Sequence, residues 1–314
     1  MEKMRCDICP RRCAVDRAAG EHGYCGAANE LVVARSALHF WEEPPISGES
    51  GSGTIFFGNC PLRCNYCQNT VIAHGDIGQV VKPADVARMC LDLQEQGALN
   101  INFVTPTHYT HEVREVVGIA RSLGLHLPIV WNTGGYEFAK VVRENLGTVD
   151  VYLTDFKYAD AARGQRYSHV RDYPERALEA LDAMVEVVGP AVYDEYREQE
   201  RMVRGVVVRH LMMPGGLEDS KQVVRMLHER YGSLVRMSLM NQYTPVLATA
   251  AAAGDPRAVA ELARCPELAQ RVPEWEYEEL LDFADWLGVE DYFWQEGGAC
   301  EESFIPAFSS SVVE

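Results

Sequence analysis

The chain has 314 residues, 47% hydrophobic and 24% charged, which fits a globular protein with one large core or one core plus an appended module. A net charge of −17 offers no positive field to a phosphate backbone, so no nucleic-acid partner is expected. No apolar run approaches the roughly 20 residues that span a bilayer, and Met1-Glu2-Lys3-Met4-Arg5 has no signal-peptide core, so the expectation is a cytoplasmic protein without a membrane partner.

Ten cysteines in such a chain read as metal ligands and buried thiols more than as disulfides. Cys6, Cys9, Cys13 and Cys25 come first, spaced C-x2-C-x3-C-x11-C. Pro10, Gly20 and Gly23 make the segment a knuckle and loop. Four thiolates on so compact a stretch suit zinc, a single iron or an iron–sulfur cluster, and sulfur ligands alone do not choose among them. The segment is too short to bury much core, so a bound metal is expected to hold it folded. Residues 1–50 read as this segment plus a connector. The connector has a short strand at Leu31–Ala34 and a turn-rich approach from Pro44 to Gly48, and Glu42 and Glu43 read as solvated loop carboxylates.

Residues 51–246 alternate strand and helix. Apolar runs at Thr54–Phe57, Ile101–Val104, Pro128–Trp131, Val149–Thr154, Val206–Leu211 and Val235–Leu239 predict six strands. Helices are predicted between them at Pro83–Gln96, His111–Leu123, Tyr136–Glu144, Glu175–Val188 and Asp219–Tyr231. Cys90 falls on the apolar stripe of the first helix with Val86, Met89 and Leu93 and reads as core. Six units with right-handed crossovers imply a parallel sheet that curls but falls short of the eight that close a barrel. The predicted fold is therefore α/β: a partial (β/α)6 TIM-like barrel with a cysteine-rich metal-binding segment before it and a helical extension at 247–314 after it. Chemistry in such folds gathers at the C-terminal strand ends.

The first of those ends carries Gly58-Asn59-Cys60-Pro61-Leu62-Arg63-Cys64-Asn65-Tyr66-Cys67-Gln68-Asn69. Three thiolates spaced C-x3-C-x2-C can ligate three corners of a cube-shaped iron–sulfur cluster and leave its fourth iron open to a small molecule. Zinc, with His74 recruited as a fourth ligand, is the rival reading.

This loop, with a strand before it and Tyr66 between the last two cysteines, resembles the cluster loop of radical S-adenosylmethionine (SAM) enzymes. The flanking Gly51-Ser52-Gly53-Thr54-Ile55-Phe56-Phe57 and Cys67-Gln68-Asn69 are similar to relatives of pyruvate formate-lyase activating enzyme, and the resemblance runs from Cys6 to about Phe308. It implies a [4Fe-4S] cluster on Cys60, Cys64 and Cys67, with SAM chelated at the open iron. It also implies a low-potential electron donor of flavodoxin or ferredoxin type, and a 5′-deoxyadenosyl radical that abstracts hydrogen.

The other strand ends are read in that light. Thr105 and Thr107 stand where the activating enzymes carry a Gly-Gly-Glu element for the SAM amino group, and His108 beside them is the candidate for catalytic proton transfer. Asn132, ahead of Gly134-Gly135, is a SAM-pocket candidate. Asp155 is expected to accept from the SAM amino group, Lys157 to pair with its carboxylate, and Arg209 to contact SAM through a bidentate fork. His210 reads as packed on the opposite face. Asn241 or Gln242 replaces a histidine that the activating enzymes place near the nucleoside.

The function implied is a radical SAM oxidoreductase that activates a partner glycyl-radical enzyme. The alternative is direct epimerisation, methylation or rearrangement of a small molecule or peptide. A remote alternative, a zinc-stabilised binding protein, leaves Asp155, Lys157 and Arg209 at successive strand ends unexplained. In the tail, helices are expected around Val259–Ala263 and Trp275–Leu287, with a short strand at Asp291–Gln295, together forming a lid. Cys265 and Cys300 read as free thiols, and Ser309–Ser311 as disordered.

Overall fold

The computed structural model describes residues 5–295, so Cys300 and Ser309–Ser311 lie outside the described residues. In chain order its strands are β1 (Leu31–His39), β2 (Ser52–Phe57), β3 (Gln79–Val81), β4 (Ile101–Val104), β5 (Ile129–Thr133), β6 (Val151–Asp155), β7 (Val192–Tyr196), β8 (Gln199–Leu211), β9 (Arg236–Met240) and β10 (Phe293–Trp294). They form one sheet in the order β10-β9-β8-β6-β5-β4-β2-β1-β3, with β7 hairpinned onto β8. From β2 through β10 every neighbouring pair along that path is parallel, and β1 lies antiparallel to both β2 and β3 at the edge. The six predicted strands are all present, in the mixed α/β, partial-barrel arrangement expected.

The parallel strands are buried along nearly their whole length because connecting helices cover one face and the barrel interior the other. All six residues of β2 are buried. The helix Pro83–Glu95 starts on a proline, which costs it no internal hydrogen bond, and buries Val86, Cys90 and Leu93; Cys90 is core, as its spacing indicates.

Several elements differ from expectation. The connector strand is nine residues long, because β1 pairs with β2 and β3 on its two sides. Pro44–Ser47 closes into one helical turn. The predicted helix Tyr136–Glu144 shrinks to Ala139–Arg143, since Tyr136 and Glu137 are committed to buried side-chain bonds outside a helix. A helix at Ala161–Ser168 and the β7–β8 hairpin were not foreseen.

The tail forms helices at Val246–Ala252, Pro256–Arg264 and Glu274–Leu287 before β10 adds to the sheet beside β9. It is tied to the barrel by Tyr277, whose hydroxyl donates to the Leu239 carbonyl at 2.7 Å, and by Tyr243, whose hydroxyl donates to the Leu268 carbonyl at 2.7 Å. No helix among the described residues is long and apolar enough to cross a membrane.

Candidate active site

The cysteine loop leaves β2 through two non-glycine residues in the left-handed region, Asn59 (φ 74°) and Arg63 (φ 50°). That backbone is uncommon for such residues and persists only where surrounding contacts over-determine it. Here they do. Arg11 donates to the Pro61 carbonyl at 2.8 Å and the Leu62 carbonyl at 3.2 Å, Arg63 donates to the Cys25 carbonyl at 2.9 Å, and the Asn65 backbone donates to Tyr167 at 2.9 Å. Cys64 Sγ lies 2.9 Å from Ser168 Oγ, which also meets the Tyr158 hydroxyl at 2.9 Å, and Tyr158 donates to the Tyr66 hydroxyl at 2.7 Å.

Burial and repulsion from neighbouring cysteines push the Cys60 thiol up and the Cys67 thiol up to about 12, while the Lys157 ammonium opposes both. Such thiols stay protonated in neutral solution until a metal displaces the proton. Among the described residues no three His, Cys, Asp or Glu side chains converge closely enough to hold a single ion. A cube-shaped cluster makes a different demand, because it takes each thiolate at its own corner. The three-thiol loop, with a cation beside it, fits that donor set.

Behind the loop the strand ends build one polar network. Arg209 on β8 is aligned with Asp155 on β6, and its Nε donates to Asp155 Oδ1 at 3.0 Å. Its other two nitrogens reach Glu42 Oε2 at 3.1 Å and Asn132 Oδ1 at 2.6 Å. Lys157 Nζ donates to Asp155 Oδ2 at 2.5 Å. Glu42 Oε1 accepts from Asn102 of β4 at 3.0 Å and Asn132 of β5 at 3.1 Å. Burial pushes the Asp155 carboxyl up, but Lys157 and Arg209 outweigh it and hold it below its ordinary value. For Glu42 burial wins over Arg209, and its carboxyl is raised.

This network floors a cavity of about 440 Å³ whose wall includes Arg209, Glu42, Asn132 and Gln242, with Gln68 and Asn69 from the cysteine loop. Phe40, Trp41 and Trp294 stand exposed on its lining. Two buried acceptors on this wall, Glu43 Oε2 and Asn69 Oδ1, have no partner among the described residues. Buried acceptors left unpaired are costly, and a ligand with ammonium or hydroxyl donors would satisfy them. That observation fits SAM.

The structure sorts the sequence-predicted residues. Asn132, Arg209 and Gln242 line the cavity; Asp155 is joined to Arg209, and Lys157 to Asp155. Asn241 follows β9 with its backbone amide on Gln295 Oε1 at 3.3 Å. Thr105 has φ 58°, a left-handed step that turns the chain after β4 away from the cavity. Thr107 is consequently buried with Thr133 and Trp131 around Glu137 Oε1.

His108 is a correction. It does not line this cavity; it is 2% exposed beneath the N-terminal cysteines, where its Nε2 donates to the Gly58 carbonyl at 2.9 Å and burial lowers its pKa to about 3. A histidine so placed is not a proton donor to a ligand in the cavity. His210 is packed as expected, between the Phe156 carbonyl and Ser220. Sequence reasoning missed Glu42, which is buried and not solvated; an acidic pair just ahead of two prolines was the one signal it gave.

The fold and this loop define an α/β partial barrel with three cysteines at the C-terminal end of its first parallel strand. Residues 54–227, more than half of the chain, match the model of the radical SAM superfamily, and the chain belongs to it. It is also similar to two uncharacterised proteins of Methanocaldococcus jannaschii. One is 27% identical over 76% of this chain and 66% of its own length, the other 22% identical over 43% of this chain and 44% of its own. The aligned stretch thus covers just under two thirds of the first relative and under half of the second.

Among solved structures, Streptococcus suis SuiB bound to its precursor peptide SuiA matches with a TM-score of 0.51 at 14% identity, covering 76% of this chain and 47% of that one. A radical SAM methyltransferase from Sphaerobacter thermophilus also matches with a TM-score of 0.51, at 12% identity, covering 87% and 79%. At such identities these likenesses speak for the fold alone. Membership of the superfamily implies a [4Fe-4S] cluster and SAM.

Proposed function

We propose that this chain uses SAM at a [4Fe-4S] cluster on Cys60, Cys64 and Cys67 to abstract hydrogen from a peptide or small molecule admitted to the 440 Å³ cavity. The observation that carries this reading is the Arg209–Asp155–Lys157–Glu42 network, which joins the cavity wall to the neighbourhood of the cysteine loop. When bound, the cluster and SAM together supply one-electron cleavage of a sulfonium and a 5′-deoxyadenosyl radical; the electron would come from a flavodoxin- or ferredoxin-type donor.

The chain's own residues position and shield. Lys157 places a cation beside the cysteine loop and opposes the upward push that burial gives the Cys60 and Cys67 thiols. Asp155 is kept ionised and fixes both Lys157 and Arg209, so their donors are pre-aimed before a ligand arrives. Glu43 Oε2 and Asn69 Oδ1 offer acceptors to the amino or hydroxyl groups of SAM. Phe40, Trp41 and Trp294 give apolar surface on which a substrate can stack and exclude water.

Activation of a glycyl-radical enzyme is the second reading. It rests on the sequence resemblance, and the exposed aromatic lining would also receive a glycine-bearing loop. The test is anaerobic reconstitution with iron and sulfide, reduction in the presence of SAM, and assay of 5′-deoxyadenosine alone, with candidate peptides, and with a glycyl-radical enzyme. Wild type is expected to form the product and Cys64→Ala none. Undiminished product from Cys64→Ala would sink the proposal. Stimulation by the enzyme arm and not by the peptide arm would select the second reading.

A further inference from the structure

The four N-terminal cysteines take no part in the cavity. They surround a separate space of about 10 Å³ that His108 and Arg17 also line. That is room for about one atom-sized occupant, far less than a four-iron cube needs.

Three features make this space more than a gap in packing. The Tyr24 backbone N–H donates to Cys13 Sγ at 3.2 Å and the Ala27 N–H to Cys25 Sγ at 3.4 Å. Two of the four sulfurs are thus already oriented by backbone donors, the kind of outer contact that holds a metal-bound sulfur in place. Second, Arg17 is only 7% exposed, its guanidinium donates to the Ala28 and His108 carbonyls, and no carboxylate among the described residues pairs with it. A buried cation calls for a nearby anion, and four thiolates around one divalent ion carry a net charge of about −2. Third, His108 Nδ1 is buried without a partner, since the ring's N–H is spent on Gly58. A buried acceptor left bare on the wall of a thiol-lined space marks that space as unfilled.

We infer that Cys6, Cys9, Cys13 and Cys25 hold a single thiophilic divalent ion, Zn²⁺ or Fe²⁺, at a centre separate from the cluster loop. The sulfurs surround the space without closing on one point. Bonds of about 2.3 Å would draw them in by rotation about the Cα–Cβ bonds, each of which has three staggered positions. The knuckle that would carry the ion is already fastened to the cluster loop by Arg11 and Arg63, and indirectly through Arg17 on His108 and His108 on Gly58.

The test removes the other centre. The full chain carrying Cys60→Ser, Cys64→Ser and Cys67→Ser is purified anaerobically and assayed for zinc, iron and acid-labile sulfide, then exchanged with Co²⁺. Expected are about one zinc or one iron per chain without sulfide, and a Co²⁺ spectrum with tetrahedral thiolate bands. Adding Cys9→Ser and Cys25→Ser should remove both signals; if that variant fails to fold, the Co²⁺ spectrum of the triple variant decides alone. Several irons with matching sulfide would overturn the inference, as would a folded triple variant that holds no metal and takes up no Co²⁺. Because the triple variant lacks the radical-forming ligands, the result is independent of whether the chain cleaves SAM.

Discussion

Arg209 and Glu42 stand 167 residues apart in the chain and meet as a buried ion pair, Nη1 to Oε2 at 3.1 Å, with side chains 16% and 8% exposed. Glu42 enters from the connector and Arg209 from β8, so the pair fastens the N-terminal connector across the mouth of the barrel. Removing one partner of a buried pair leaves the other charge uncompensated.

Arg209→Ala is therefore expected to destabilise the chain by about 3–5 kcal/mol, read as a fall in the urea midpoint with an unchanged slope. Arg209→Lys should recover only part of this, because an ammonium cannot serve Asp155, Glu42 and Asn132 with the same fork. A stability loss under about 1 kcal/mol, the range of an exposed pair, would show that the pair is solvated in solution.

Acid stability should carry the signature of His210. Burial lowers its pKa to about 4, against the Phe156 carbonyl's opposing pull, so the unfolded chain binds the proton first. Its contribution is complete above about pH 6.5 and is lost as the pH falls toward about 4, with a slope of at most about 1.4 kcal/mol per pH unit. His210→Gln should show a flatter profile over that window. Glu42 has the opposite sign: burial raises its carboxyl, so the folded chain binds the proton first, and stability is lost as the pH rises from its ordinary value through its folded one. Glu42→Gln should remove that decline. Guanidinium titrations at half-unit pH steps measure both differences.

Gly135→Ala tests the close approach behind Asp155. Gly135 has φ +78°, and a Cβ there would press into the Asp155 backbone carbonyl. The backbone conformation alone should cost about 1–3 kcal/mol. Displacement of Asp155 should also weaken SAM binding, measured by calorimetry. Gly147→Ala, also at positive φ but with open space around it, should cost stability without touching SAM affinity.

SAM should stabilise the reconstituted chain by about 2.7 kcal/mol at a hundredfold excess over its Kd. Asp155→Asn frees Lys157 and Arg209 from their shared anchor and is expected to reduce the SAM-induced rise in melting temperature at fixed SAM concentration. Lys157→Met should do the same and should also lower iron incorporation. An unchanged ligand shift in both variants would remove this pair from the binding network.

Much of the site was legible because it lies where local pattern meets a strand end. Asp155 and Arg209 each follow an apolar run, and a charge in that position needs a buried partner; they are each other's. Glu42 was not legible, because nothing local distinguishes a loop carboxylate in water from one delivered among Asn102, Asn132 and Arg209. His108 was legible as a strand-end histidine but not in its direction, which the left-handed step at Thr105 and the 3-10 turn at Thr107–Tyr109 decide.

By itself the sequence determined the six β/α repeats and the three-thiol loop after the first of them, because helix, strand and ligand spacings are short-range patterns written along the chain. Only the tertiary structure decided which strand-end side chains reach the cavity, which turn behind it, and that the connector's Glu42 completes the network. Those outcomes depend on contacts between segments far apart in the chain, set by strand order and register, and no local spacing encodes them.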